Sequence, residues 1–125
     1  MRVLLVDDSV EFLAAARRLL EREGLQVVAT ATTIAEAVRR ARETSPDVAL
    51  VDIDLGGESG FEVVRRLLHD REDHVRVVLI SSHAAEDFAD LVAESRAVGF
   101  LSKSRLSAAA IREVLERGSG EETRS

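Results

Sequence analysis

Five short apolar runs, spaced at similar intervals, constrain the fold of this chain more than any other feature of its sequence. Each run is continuous rather than alternating and is rich in valine, as expected of strands that are buried on both faces of a sheet. The runs cover residues 3–6, 27–29, 48–51, 77–80 and 98–101. Between them, apolar residues recur at helical spacing. The first such stripe consists of Phe12, Leu13, Ala16, Leu19 and Leu20. The sequence therefore alternates strand and helix five times.

Alternating strands and helices with short connections form a parallel sheet with right-handed crossovers and helices on both faces. The pattern predicts a flavodoxin-like, doubly wound (βα)5 fold of the α/β class, with strand order 2-1-3-4-5. Signals at the helix ends agree with this alternation. They are the start boxes Asp8-x-x-Glu11 and Thr33-x-x-Glu36, and the helix-end glycines Gly24 and Gly118.

Length and composition narrow the class of protein. The 125 residues suit one domain, which we place at residues 1–117, followed by a polar tail or the start of a linker at 118–125. A net charge of −6 argues against direct binding of nucleic acid, and the absence of cysteine excludes disulfides and thiolate metal sites. No apolar run approaches the ~18 residues of a membrane span. We therefore expect a cytoplasmic domain that contacts neither nucleic acid nor membrane.

Polar side chains follow four of the five predicted strands. In chain order they are Asp7 and Asp8, then Asp52 and Asp54, then Ser81, Ser82 and His83, and finally Ser102 and Lys103. Because ligands of such sheets bind beyond the carboxyl ends of the strands, near the point where the winding reverses, we expect these groups to share one site.

The chemistry of these groups points to phosphoryl transfer. Clustered carboxylates repel one another unless a cation shares their site, and oxygen ligands favour a hard ion such as Mg²⁺. A carboxylate can attack a phosphoryl group and become an aspartyl phosphate. Lys103 is the single lysine among 17 basic residues. A compact ammonium suits one phosphoryl oxygen better than the planar guanidinium of arginine does. We therefore interpret the use of lysine at position 103 as a requirement of the site's chemistry.

In these residues the chain resembles the receiver domain of two-component response regulators, over residues 2–117. The matching features are the paired acids Asp7-Asp8, Asp52 with Gly60 eight residues later, and the spacing from Ser81 to Lys103. The resemblance implies that a partner histidine kinase or phosphotransfer protein phosphorylates Asp52, and that Mg²⁺ is the cofactor. It further implies a signalling domain that promotes its own phosphorylation and dephosphorylation and turns over no external substrate.

The resemblance also implies the roles of single groups. Asp8, Asp52 and the backbone carbonyl of Asp54 would bind Mg²⁺, with Asp7 assisting through water. Lys103 would pair with the phosphoryl group.

Further residues would transmit or time the signal. Ser81 would move to hydrogen-bond the phosphoryl group, and Phe100 would turn inward as the switch aromatic. The fourth helix, fifth strand and fifth helix would then present a changed surface to an output. We further expect a contact between Asp54 and His83 that orders or screens the hydrolytic water and so sets the phosphate lifetime.

Two positions depart from the pattern of the family. Proline is common four residues after the phosphoacceptor, where this chain has Gly56, and also after the lysine, where this chain has Ser104. In the family that second proline commonly follows a cis bond. A cis peptide before a non-proline residue costs about 2.5–4 kcal/mol. Neither departure removes a reactive group.

Two other functions stay open at this point. Asp52-x-Asp54 superficially matches a phosphatase of the haloacid dehalogenase kind, although that motif follows the first strand and usually continues with Thr or Val where this chain has Gly56. The other alternative is an interaction module that is never phosphorylated. The presence of a complete set of reactive groups argues against it: Asp8, Asp52, Ser81 and Lys103. The sequence does not identify the kinase, the signal, the output or the phosphate lifetime. It also leaves open whether phosphorylation drives homodimer formation.

Overall fold

The computed structural model describes residues 1–69, 74–83 and 85–124. The strands are β1 (Arg2–Val6), β2 (Gln26–Ala31), β3 (Val48–Asp52), β4 (Arg76–Ser81) and β5 (Gly99–Ser102). The helices are α1 (Val10–Arg22), α2 (Ile34–Thr44), α3 (Gly60–Leu67), α4 (Ala89–Glu94) and α5 (Ala108–Arg124). Short 3₁₀ turns cover Ala85–Phe88, before α4, and Lys103–Arg105, after β5.

The strands form one parallel sheet in the order β2-β1-β3-β4-β5, which confirms the predicted fold class and strand order. Its register aligns the carboxyl ends of the strands: Val6 pairs with Val51, and Ser81 pairs with Ser102. The chain winds outward in opposite directions from β1 and β3, so the winding reverses between these two strands. Residues that follow β1, β3, β4 and β5 are thereby brought to one edge of the sheet.

Two apolar layers cover the two faces of the sheet. One contains side chains from α1 and α5, such as Leu20 and Ile111, and the other contains side chains from α2 and α3, such as Ala37 and Val63. Residues 3–6 of β1 and 48–51 of β3 are no more than 1% exposed. Continuous apolar runs are needed in these strands because both of their faces are covered. The central strands thus form a buried frame for the groups at their ends.

The start of α1 differs from the prediction. Ser9, rather than Asp8, is the N-cap, and its Oγ accepts a hydrogen bond from the N–H of Phe12 at 3.2 Å. The Asp7 carboxylate accepts the N–H of Ser9 at 2.8 Å, and Ser9 itself is extended, so the helix begins at Val10. Asp8 is therefore not used as a cap. The predicted start of α2 is confirmed, since Thr33 Oγ1 accepts the N–H of Glu36 at 3.2 Å.

Of the two glycines that were predicted to follow helices, one does so. Gly24 follows α1 with a φ of 92°, a left-handed conformation that glycine adopts without steric cost. The prediction for Gly118 is wrong, because α5 continues through it to Arg124. A Cβ at Gly118 would lie 3.0 Å from Cβ of Val98, so this glycine lets α5 pack closely there. The boundary between a domain at 1–117 and a tail at 118–125 stays a prediction.

The residues that follow β5 lie in an ordinary trans backbone, and the peptide bond between Lys103 and Ser104 is trans. The Oγ atoms of Ser102 and Ser104 share a hydrogen bond of 3.0 Å.

Among the described residues, no helix combines the length and the apolar character that a membrane span requires.

Candidate phosphorylation site

Four predicted site residues meet at the carboxyl edge of the sheet. Lys103 Nζ lies 2.5 Å from Asp7 Oδ2 and 2.9 Å from Asp52 Oδ2. Asp7, Asp52 and Ser81 are the polar residues found buried among the described part of the chain, at 0%, 5% and 2% exposure. Buried charges are expensive unless they are paired, so the ion pairs explain how two carboxylates are tolerated here.

Asp8 completes an acidic cluster. Carboxylate oxygens of Asp7, Asp8 and Asp52 lie within 4.8 Å of one another, and Asp8 is exposed whereas the other two are buried. Within the described residues, Asp7 Oδ2 is buried and has no partner other than the ammonium of Lys103. Three carboxylates face one ammonium, so negative charge is in excess. An all-oxygen set of this kind fits a hard divalent ion such as Mg²⁺.

Burial and pairing shift the pKa values of the central pair. Burial raises the pKa of Asp52 above its usual value, and the negative charge of Asp7 adds to this, while Lys103 and the N–H of Asp54 oppose it. For Lys103, burial acts to lower the pKa, but hydrogen bonds to Asp7 and Asp52 outweigh it, so the pKa is raised. The lysine therefore stays charged at neutral pH, and the carboxylate of Asp52 is the ion that the site destabilises.

The loop after β3 wraps around the end of Asp52. The N–H of Asp54 donates to Asp52 Oδ1 at 3.1 Å, and Asp54 Oδ1 accepts the N–H of Gly56 at 3.0 Å. Gly56 has a φ of 62°, which proline cannot adopt. A Cβ at this position would lie 2.8 Å from Asp8 Oδ2. The departure from the family's common proline thus leaves room for the carboxylate of Asp8.

Gly60 determines how closely α3 approaches the site. A Cβ at Gly60 would lie 2.0 Å from the carbonyl oxygen of Asp52, and its N–H donates to the carbonyl of Ile53 at 2.7 Å. No side chain fits in that space. The same loop is bonded to α2, because Glu58 Oε1 accepts the N–H of Ile34 at 3.0 Å. The position of Asp52 is consequently fixed from both α2 and α3.

The predicted switch and lifetime residues include Ser81 and His83, which are hydrogen-bonded to each other. Ser81 Oγ accepts the N–H of His83 at 3.0 Å, and the ring of His83 packs edge-on against Phe88, 6.1 Å between centroids. The described part of the structure has no hydrogen bond or ion pair between His83 and Asp54, so it does not show the expected contact between these residues. Phe100 is partly buried against the apolar layer formed with α2 and α3. The roles of these residues stay predictions.

One side chain at the site was missed by the sequence analysis. The ring centroid of Phe12 lies 4.4 Å from Lys103 Nζ. Its helical spacing places it correctly in the apolar stripe of α1, and it does pack against the core. Periodicity identifies the inward face of a helix but does not indicate which residue lies closest to the edge of the sheet.

Comparison with known proteins gives a consistent result. The family model described as the response regulator receiver domain matches residues 3–116. Response regulator GacA from Pseudomonas viridiflava is 35% identical over 104 residues, which are 82% of this chain and 48% of that protein. Response regulator UvrY from Escherichia coli strain K12 is 34% identical over 104 residues, 82% of this chain and 47% of that protein. The chain thus spans about half the length of these curated relatives.

A solved structure has the same fold over nearly the whole chain. It is a two-component response regulator of the LuxR family from Aurantimonas sp. SI85-9A1, with a TM-score of 0.80 and 33% sequence identity. The alignment covers 95% of this chain and 85% of that one.

Proposed function

The chain belongs to the response regulator receiver domain family, and on that premise we propose that Asp52 is its phosphoacceptor. Phosphorylation-based switching is the general function of this family. The observation that carries the assignment to this residue is the position of Asp52 at the end of β3, with Lys103 Nζ at 2.9 Å and two further carboxylates within 4.8 Å.

Transfer to Asp52 requires an accessible carboxylate oxygen and positive charge around the moving phosphoryl group. An oxygen of Asp52 attacks the phosphorus of the phosphohistidine donor. The new O–P bond forms while the P–N bond breaks, and the electron pair of that bond stays on the histidine nitrogen. Lys103, held between Asp7 and Asp52, is placed to exchange a carboxylate partner for a phosphoryl oxygen.

Asp8, Asp52 and the backbone carbonyl of Asp54 would hold Mg²⁺, with Asp7 assisting through water. When bound, the ion supplies further positive charge to the phosphoryl oxygens. The excess of carboxylate over ammonium charge and the space that Gly56 leaves beside Asp8 support this set of ligands.

After transfer, the phosphoryl group adds about −1.5 to −2 charges at the edge of the sheet. We propose that Ser81 moves to hydrogen-bond it and that Phe100 turns inward. The surface formed by α4, β5 and α5 would then control an output. Asp54 and His83 are proposed to influence how long the phosphoryl group persists.

The wider setting is also a proposal. The phosphodonor would be a histidine kinase or a phosphotransfer protein of the cytoplasm. The domain, at residues 1–117, would bind neither nucleic acid nor membrane and would turn over no external substrate. The order of elements supports a receiver over a haloacid dehalogenase-like phosphatase, since Asp52 stands at the end of β3 rather than after the first strand.

Intact-mass spectrometry after incubation with acetyl phosphate and Mg²⁺ tests the proposal. We expect the parent to gain one phosphoryl group and Asp52→Asn to gain none. Asp47→Asn is the matched control, because it removes an exposed carboxylate at the opposite end of β3, where Asp47 Oδ2 accepts the N–H of Arg2 at 2.7 Å. Equal labelling of the parent and Asp52→Asn would overturn the assignment.

Beryllofluoride with Mg²⁺, which mimics a bound phosphoryl group, distinguishes a working receiver from an interaction module that is never phosphorylated. A working receiver should show changed amide resonances at the edge of the sheet and in α4, β5 and α5. A chain that shows no change at saturating beryllofluoride is an interaction module of this fold.

A further inference from the structure

The single ammonium of the site is held by an aromatic ring as well as by carboxylates. The Phe12 centroid lies 4.4 Å from Lys103 Nζ, while Asp7 Oδ2 and Asp52 Oδ2 lie 2.5 Å and 2.9 Å from the same nitrogen. An ammonium has three N–H donors, and the two carboxylates account for two of them. The face of the ring attracts the cation without requiring an acceptor atom.

The surroundings make this contact effective. The side chain of Lys103 is 19% exposed, so little water competes for the ammonium. Phe12 is partly buried against the apolar layer that α1 and α5 form on the sheet, so the core fixes its ring. Attraction between a cation and an aromatic face grows as water is excluded. Lysine also has a flexible four-carbon stem, whose free end needs such restraint to stay in one place.

We propose that Phe12 is a positioning residue of the phosphorylation site, whose ring holds the Lys103 ammonium beside Asp52 before a phosphoryl group arrives. The proposal rests on the proposed function, because it takes Asp52 as the phosphoacceptor. In a merely structural role, Phe12 would contribute apolar area that leucine could largely replace. In a positioning role, only another aromatic ring replaces it.

The first measurement exploits the single lysine of the chain. Labelling with ¹³C-lysine gives the side-chain signals of Lys103 alone. Protons near the face of a ring are shifted upfield, so we expect upfield ε-proton signals in the parent and in Phe12→Tyr, and ordinary ones in Phe12→Leu. Phe61→Leu is the matched control: it removes another partly buried phenylalanine, from α3, and should leave the lysine signals unchanged.

The second measurement is affinity for beryllofluoride in saturating Mg²⁺, followed by amide NMR. Phe12→Leu should bind about 2- to 5-fold more weakly than the parent, the size expected for one cation–π contact. Phe12→Tyr should restore the affinity. Phenylalanine carrying one, two or three ring fluorines at position 12 should weaken binding in steps, because fluorine reduces the negative potential of the ring face while nearly preserving its shape.

The outcomes separate this inference from the proposed function. If the parent binds beryllofluoride and Phe12→Leu binds it equally well, the positioning role is wrong while the receiver function stands. Weaker binding by Phe12→Leu without a change in the lysine signals, or without a trend in the fluorine series, would show a structural role instead. A parent that binds no beryllofluoride would remove the proposed function, and the inference with it.

Discussion

Replacing Lys103 with methionine removes the charge between two buried carboxylates and keeps a side chain of similar length. Two unit charges 4.8 Å apart, the outer limit for the carboxylate oxygens here, repel by about 3.5 kcal/mol at an effective dielectric constant of about 20. Removing one partner of a buried ion pair typically costs about 3–5 kcal/mol. We therefore expect Lys103→Met to lower the free energy of unfolding by about 3 kcal/mol at pH 8 without divalent ions.

This loss should depend on pH. When the ammonium is absent, the carboxyl of Asp52, whose pKa burial already raises, can relieve the repulsion by taking up a proton. Each unit of difference in pKa between folded and unfolded states corresponds to about 1.4 kcal/mol. The deficit should therefore be clearly smaller at pH 5 than at pH 8. Mg²⁺ should stabilise the variant more than the parent, because the ion would replace the missing positive charge.

Urea unfolding followed by far-ultraviolet circular dichroism measures the effect, since the chain has no tryptophan or tyrosine for fluorescence. Arg105→Met is the matched control: it removes an exposed cation from the same 3₁₀ turn and should change stability by no more than about 0.5 kcal/mol. Adding Asp7→Asn to Lys103→Met should recover much of the loss. A deficit that is equal at pH 5 and pH 8, with no recovery in the double variant, would refute the electrostatic reasoning.

Two further substitutions test the site from other directions. Because burial raises the pKa of Asp52, the stability linked to this group is present at low pH and declines as the pH rises above the unfolded pKa of 3.8 toward the raised folded pKa. Asp52→Asn should therefore unfold at a higher temperature than the parent at pH 8, and the difference should shrink at acidic pH. An equal thermal midpoint at pH 8 would contradict this. Gly60→Ala should lower stability by about 1–3 kcal/mol, because its Cβ would lie 2.0 Å from the carbonyl of Asp52. A thermal midpoint for Gly60→Ala equal to that of the parent would show that α3 moves aside without cost.

The fold and the centre of the site could be predicted because few signals determine them. Continuous valine-rich runs separated by helical stripes leave little besides a parallel sheet, and the ends of parallel strands meet at one edge. The proximity of Asp7, Asp52 and Lys103 follows from that topology alone. Their distances do not, since these depend on side-chain conformations that the sequence pattern does not specify.

Features that depend on tertiary contacts were not predictable. Gly118 has the position expected of a helix end, but its close approach to Val98 lies inside α5. The N-cap of α1 shifted by one residue because the Asp7 carboxylate holds the N–H of Ser9. Local sequence signals give the kind of element, whereas neighbours in space decide where it ends and which side chains it buries.

Two glycines, Gly99 in β5 and Gly118 within α5, let this helix lie close to the sheet. A Cβ at Gly99 would lie 2.5 Å from Cγ1 of Val114, and Gly118, one helical turn beyond Val114, lies against Val98. At both contacts an added methyl group would force a neighbouring side chain to shift. α5 is therefore closely packed against β5 and Val98 at two points one helical turn apart. We expect a larger residue at either glycine to move α5 and so to alter the surface that α4, β5 and α5 form together.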